Sequence, residues 1–495
     1  MEAQPQSAAY PGWVMLEQYL EIIKDSSRST TEDDARTLAT ARTINSHPIQ
    51  VSLRLADPPA LSRVFLRIPD GLRQEKSKVL AAHGDSVLIQ VRIQDTYEHF
   101  VYNAGDHAAD PPRPPSLLLL PPAGRELFDC CTGLLRRGED DLAVADLRGP
   151  GLSMSKDTHT PRWARLYLFR SGEWNCSRIK VREGWDIPLL WDSVVPVDDR
   201  LLCFVHLRCG VMLLDVFAET PTVQYVPLPM DPHDYGRGLK RNVCTTEGGG
   251  TLKFVNIFGR CCCGGAASCD CKHSLHAYII HTWTMRVSNG DAGWVKDGMV
   301  DATELWTLDA YKGLPCDPLD RPVVSIDEPE VICFRLCNPK YDNPRNRELW
   351  QILVNMRSKT ILSVSRHEED LGYCYTRDKL IPSKVSYFLN TCPDSGTSDD
   401  ATLTGQSQVD IERSPSVVVG VQPKGGGDAS NQTVQASDIF EALQEIPSYG
   451  LLGPDEVKAY RILWSNNGCR LRSLLRLPKS IRKDWLLIEI KDSED

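Results

Sequence analysis

Between residues 49 and 392 one unit keeps returning: a short apolar run, a tight turn, and a second run of similar length. "LYLFRSGEWNCSRI" turns at Ser171-Gly172, "LLDVFAETPTVQYVPL" at Glu219-Thr220-Pro221, "TWTMRVSNGDAGWVKDG" at Asn289-Gly290 and "ILVNMRSKTILSV" at Ser358-Lys359. The runs are rich in Val, Ile, Leu, Phe and Trp, are of strand length, and are punctuated by turn residues. Long helical periodicity is missing from this region. The pattern predicts a mainly β body. The turns recur roughly 45–70 residues apart, and blade repeats run to about 40–50 residues with loops inserted. A unit of this kind, burying its two faces on its neighbours, suits a β-propeller-like body. The alternative is two β-sandwich domains.

The remaining chain divides by texture. Residues 1–48 read as an N-terminal lead with one short element. In it "WVMLEQYLEII" (13–23) fits either a strand or a helical face of Leu16, Leu20 and Ile23. Residues 393–437 are dominated by Ser, Thr, Asp, Gly and Gln and read as a disordered linker. Residues 438–491 change to a helical period and read as a small all-α module. Asp438 with Glu441 resembles a capping box, and Pro454, Asp455 and Glu456 suit a helix start. Its latter half is basic, with Arg470, Arg472, Arg476, Lys479, Arg482 and Lys483.

Composition limits the function classes. A net charge of −10 argues against a protein that coats nucleic acid along its length. Seventeen cysteines, scattered through strand-like runs, behave as small hydrophobes. Without a secretory leader they point to a reducing compartment, so a soluble, cytoplasmic or nuclear protein is expected. "SLLLLPP" (116–122) is too short to span a bilayer, and no membrane contact is expected.

The phrases "PPALSRVFLRIPD", "VLAAHGDSVLIQV", "EHFVYNAG", "GLLRRGEDDLAVADL", "WDSVVPVDDRLLCFV", "TLKFVNI" and "GWVKDGMVDATELW" occur in order over about residues 11–390. In this the chain resembles the plant family of unknown function numbered 1618, abundant in grasses. The texture is also similar, more weakly, to F-box-associated and kelch-type propellers. That second resemblance implies a protein-binding surface. The helical "LPDDLLxxILxRLP" opening of F-box proteins has only a faint echo here, "LSRVFLRIPD" (61–70).

No catalytic, cofactor-binding or metal residue is assigned, and no cofactor is expected. "CCCGGAASCDCKHSLH" (261–276) offers Cys263, Cys269, Cys271 and His273 as a conceivable zinc set. Its contiguous thiols and C-x-C spacing depart from the C-x2–4-C pattern of tetrahedral sites, so an exposed loop is expected. "TTEGGGTLKF" (245–254) lacks the lysine and helix of a phosphate loop and reads as a turn. "HGDS" (83–86) sets His, Asp and Ser side by side, which is no sign of a triad assembled in space. "GLSMS" (151–155) fails the nucleophile-elbow pattern. Trp174, Trp191, Trp283, Trp294 and Trp306 are expected to pack between blades.

The expected function is a non-catalytic scaffold or recognition module that binds protein partners. The alternatives are a nucleic-acid-associated regulator acting through the basic C-terminal helices, and a propeller-type hydrolase with converging acidic or histidine side chains in a channel.

Overall fold

The computed structural model describes residues 9–24, 35–72, 74–94, 96–105, 113–138, 141–149, 162–181, 191–229, 240–259, 277–287, 293–337, 348–367 and 379–390, together with Leu474 and Arg482. The chain forms two compact units, Met1–Pro393 and Asp394–Asp495. Of the second unit only Leu474 and Arg482 are described, both helical and buried. The expected linker at 393–437 and the rest of the module at 438–491 lie outside the described residues.

The first unit is mainly β. After β1 (Val14–Glu17) comes blade 1, built from β2 (Glu21–Lys24), β3 (Ala39–Arg42), β4 (Pro48–Arg54) and β5 (Arg63–Ile68), hydrogen-bonded in the order β2-β5-β4-β3. Five meanders follow, each a four-stranded antiparallel sheet in sequence order. Blade 2 is β6 (Gln74–His83), β7 (Ser86–Ile93), β8 (Thr96–Asn103) and β9 (Ser116–Leu119). Blade 3 is β10 (Thr132–Arg137), β11 (Asp141–Arg148), β12 (Arg162–Arg170) and β13 (Glu173–Val181). Blade 4 is β14 (Ser193–Val197), β15 (Leu201–His206), β16 (Gly210–Asp215) and β17 (Val223–Pro227). Blade 5 is β18 (Arg241–Thr246), β19 (Thr251–Gly259), β20 (Tyr278–Arg286) and β21 (Val295–Asp301), followed by the short helix α1 (Ala302–Trp306). Blade 6 is β22 (Asp320–Val324), β23 (Val331–Cys337), β24 (Leu349–Asn355) and β25 (Thr360–His367). The chain then returns to blade 1 as β26 (Leu380–Ser383) and ends the unit in one helical turn, α2 (Val385–Phe388).

The two-sandwich alternative fails on how the faces are buried. In β15, Leu202 and Phe204 pack into the core shared with blade 3, while Cys203 and Val205 pack into the core shared with blade 5. The same division repeats around the body. Core clusters join blades 1 and 2, 2 and 3, 3 and 4, 4 and 5, and 5 and 6. A sixth, built from Met15, Val323 and Cys333, joins blade 6 to blade 1. A strand side chain alternates between faces, so a strand buried on both sides reads as an unbroken apolar run. "LLCFVH" is such a run.

The ring closes through its ends. β1 pairs antiparallel with β26, from Val14 opposite Ser383 to Glu17 opposite Leu380. On its other side β1 is tied to blade 1, where the Glu17 N–H donates to Ser62 O and the Ser62 N–H to Met15 O. The expected boundary at residue 49 therefore moves: it falls inside β4, whose partner β3 lies before it. "WVMLEQYLEII" forms two strands, β1 and β2, with a break at residues 18–20; Val14, Met15 and Leu16 are all fully buried between two partners, where one helical face could not be. The Ser171-Gly172 turn joins β12 to β13 with both residues at positive φ, as a two-residue hairpin demands.

Candidate functional site: the central channel

The first strand of each of blades 2 to 6, and β26 for blade 1, runs beside a central channel. Their starts lie at one end of it and their turns at the other. Two adjoining cavities occupy it, of about 260 Å³ and about 170 Å³. Ser193, Asn242, Lys379 and Leu380 line both and form the waist between them.

The larger cavity opens at the turn end. Leu80, Val194, Val243, Ile381 and Phe388 give it an apolar wall, and His83, Asp198 and Lys384 supply its polar rim. Hydrogen bonds tie that rim together from blade to blade. The Arg136 N–H donates to His83 Nδ1 at 2.9 Å, and the His83 ring also meets the Asp198 backbone. The Asp198 N–H donates to Gly249 O at 3.0 Å, the Gly248 N–H to Ile326 O, and Lys384 Nζ lies 2.6 Å from Asp327 Oδ1. Burial pushes the His83 pKa below the usual histidine range, which keeps the ring neutral and able to accept from Arg136. The Gly248–Gly250 turn fits closely because a Cβ on Gly250 would lie 3.0 Å from Asp198 Oδ1. Gly248 and Gly249 also hold φ of 74° and 118°, which side chains resist.

The smaller cavity lies at the strand-start end and is charged. Asp129, Asp192, Arg241, Arg321 and Lys379 line it. Asp129 is already paired, with Lys78 Nζ 3.0 Å from its Oδ1. Burial pushes the Asp129 carboxyl up, but Lys78 and Lys379 outweigh it and hold the group below the usual carboxylate range. Arg241 is buried and donates from Nε to Asn256 Oδ1 at 2.9 Å. Arg321 sits at φ 48° where β22 bulges against β23. Among the described residues Lys379 Nζ reaches only the Asp129 main-chain oxygen, at 3.5 Å. Burial pushes its pKa below the usual lysine range, against the pull of Asp129 and Asp192. At the waist, Ser193 Oγ is buried with no hydrogen-bond partner among the described residues.

The residues singled out in the sequence are placed as follows. Cys263, Cys269, Cys271 and His273 lie outside the described residues, as does "GLSMS". Among the described residues no three His, Cys, Asp or Glu side chains come together as a metal site. "HGDS" is the β6–β7 turn. Ser86 Oγ lies 2.7 Å from Asp85 Oδ1 and 2.9 Å from Asn103 Oδ1, while His83 turns to Arg136, so the three make no nucleophilic relay. "TTEGGG" is the β18–β19 turn. Trp191 is buried and donates to Leu147 O, Trp283 and Trp294 pack on Phe254, and Trp306 packs on Tyr278. Ser193 and Lys379 were not legible as a site. The only signal is positional: each is a polar residue at the start of a channel-lining strand, and that is visible only once the blades are counted.

Six four-stranded blades around a channel, closed by pairing the two ends of the unit, make this a protein of the β-propeller class. Residues 204–333, the core of blades 4 and 5 and the start of blade 6, match the family described as "Protein of unknown function (DUF1618)". The resemblance read in the sequence holds over that segment. Several solved structures are similar in fold. A fungal lectin from Aleuria aurantia, described as a six-bladed β-propeller, is 9% identical with a TM-score of 0.30, covering 74% of this chain and 98% of that one. The WD40 domain of SCAP from fission yeast is 9% identical with a TM-score of 0.28, covering 68% and 78%. TolB from Acinetobacter baumannii is 11% identical with a TM-score of 0.26, covering 59% and 53%. No curated protein sequence matches the chain. No helix among the described residues is long and apolar enough to cross a membrane.

Proposed function

We propose that this chain is a non-catalytic recognition module that docks a protein partner on the turn-end face of its propeller. The fold is compatible with a binding or recognition role. The observation that carries the reading is an aromatic pair at the channel mouth. In α2, Val385 and Ser386 are buried, whereas Tyr387 and Phe388 are 59% and 37% exposed with their rings 5.4 Å apart. An apolar pair could have turned inward with its neighbours; here it stands on a rim stiffened by inter-blade hydrogen bonds. Exposed aromatics on a rigid surface are the usual anchors of protein interfaces, since they bury large area at small entropic cost. The His83 ring is held by backbone groups, which supports a structural role for it over a hydrolytic one. A reducing, cytoplasmic or nuclear setting is part of the proposal, and the free thiols of Cys203, Cys244 and Cys333 in the blade cores suit it.

The test is a photo-crosslinking residue placed at position 387 of the full chain, with the captured partner identified and purified. The Tyr387→Ala/Phe388→Ala variant should then bind that partner at least about tenfold more weakly, as loss of a hot-spot pair predicts. Unchanged affinity, with cross-links arising only from other faces, would refute the docking face.

A further inference from the structure

Blade 3 carries a row of arginines across its outer strands. Arg165 of β12 stands directly opposite Arg148 of β11 on one side and Arg178 of β13 on the other. Opposed residues share a face of the sheet with about 4.5–5.5 Å between Cβ atoms, and like charges placed so destabilise it. Asp146 answers one of the three, with Oδ1 2.6 Å from Arg148 Nε. It is the single carboxylate on this face among the described residues of β10–β13. Arg165 and Arg178 are exposed and have no ion-pair partner among the described residues. Aromatic rings are set among these cations. Trp163 and Tyr167 share the face of Arg165 by strand alternation. Trp163 is 44% exposed and stands opposite Lys180. The Arg148 guanidinium lies 4.4 Å from the ring centre of Phe128, itself 40% exposed, and that of Arg125 lies 3.6 Å from the ring centre of Tyr167. Further along the same face Val144 and Phe169 pack into the core shared with blade 2. Towards the strand-start end the cations and rings take over.

We propose that this strand-start face of blade 3 binds an acidic peptide segment of a protein partner, its carboxylates on Arg165 and Arg178 and an apolar side chain against Trp163 and Phe128. Charge complementarity selects the occupant. A neutral or cationic partner would leave the arginine row unanswered or make it worse. A carboxylate takes the planar guanidinium fork with two hydrogen bonds, and arginines fixed on a sheet lose little freedom in offering it. A single-stranded nucleic acid needs a succession of open ring faces for its bases. Tyr167 and Phe128 already carry a guanidinium, so Trp163 is the one ring of the three without a cation over it among the described residues. The net charge of −10 also opposes a long polyanion more than a peptide with a few carboxylates. The inference is independent of the proposed docking face, because Tyr387 and Phe388 lie at the turn end of the body and this face lies at the strand-start end.

The experiment is fluorescence anisotropy of the full-length protein with three labelled probes: an octapeptide of glutamates around one central tryptophan, its glutamine counterpart, and decauridylate. The glutamate peptide should bind saturably, one per chain, and weaken about tenfold between about 50 mM and about 500 mM salt. The glutamine peptide should not bind saturably. Arg165→Glu is the informative variant. It sets a carboxylate between Arg148 and Arg178, so peptide affinity should fall about tenfold or more while the urea midpoint stays at or above that of wild type. Trp163→Ala should weaken binding severalfold, and Tyr387→Ala/Phe388→Ala should leave it unchanged. Four results would overturn the proposal: no saturable binding of the glutamate peptide, the glutamine peptide bound equally well, decauridylate bound in preference to the peptide, or affinity unmoved by Arg165→Glu. A urea midpoint lowered by Arg165→Glu would remove its premise, the unanswered row.

Discussion

Replacing Asp297 by alanine takes one carboxylate from an edge strand of blade 5, yet its effect should reach the whole body. The carboxylate holds Lys253, whose side chain is fully buried in β19 and whose Nζ donates to Asp297 Oδ2 at 2.7 Å. Thr282 donates to the other oxygen at 2.6 Å, and the Thr284 hydroxyl donates to Oδ2 as well. Burial pushes the Asp297 pKa up, but Lys253 and the two threonines more than offset this and hold it below the usual carboxylate range. Asp297→Ala leaves a buried ammonium without its counter-charge, a loss of about 3–5 kcal/mol. Lys253→Met is different. It fills the same space with apolar atoms, and the remaining carboxylate, 26% exposed, keeps water and two hydroxyl donors. That change should cost about 1 kcal/mol. The double variant should be close to Lys253→Met alone, because the stranded charge is gone. Urea unfolding followed by tryptophan fluorescence at pH 7 measures all three. The pH dependence has a definite sign. A carboxyl whose folded pKa lies below its unfolded value of about 4 stabilises above that value and loses its contribution as pH falls through the folded one. The gap between wild type and Asp297→Ala should therefore narrow in acid. Equal losses for the two single variants, or a double variant equal to their sum, would refute the reasoning.

Three further outcomes are expected. His99 is buried with Nε2 2.9 Å from Gln90 Oε1, and burial pushes its pKa down to about 4. Its folded pKa is below the unfolded value of about 6.5, so it should cost wild type about 3 kcal/mol of stability as pH falls from 6.5 to 4, and His99→Gln should flatten urea midpoints across that window. Deleting residues 1–20 removes Val14, Met15 and Leu16 from the β1–β26 pairing. At about 1.5–3 kcal/mol for each buried side chain this approaches the whole stability of a domain, so the truncated chain should lose cooperative unfolding; a sharp, wild-type-like transition would contradict the closure. Gly133→Ala would put a Cβ 2.6 Å from Val194 and 2.7 Å from Leu202 of the next blade. Overpacking there should cost about 1–3 kcal/mol in the same urea assay, and no loss would mean that blades 3 and 4 do not meet as described.

The strands of this protein are written locally. Runs such as "LLCFVH" and turns such as Ser171-Gly172 carry their own propensities and their own φ preferences, so a mainly β body of repeated hairpins was legible without a partner in view. The apolar runs lack alternation, as strands buried on both faces do. What the runs could not announce was what each face packs against. Leu202 and Phe204 differ from Cys203 and Val205 only in which neighbouring blade they face, and that choice depends on sheets far apart in sequence. The number of blades, the recruitment of β1 and β26 to close the ring, and the exclusion of a sandwich pair are consequences of that packing. The stretch at 13–23 was ambiguous for the same reason: β1 gains its burial from β26, more than 360 residues away. The channel is the extreme case. Ser193 and Lys379 carry no motif, because their meaning lies in a shared waist to which three separate strands, β14, β18 and β26, contribute. Local sequence determines where a strand runs and where it turns. Only the ring determines which polar residues are left facing its centre, since that position is fixed by long-range burial and not by any neighbour along the chain.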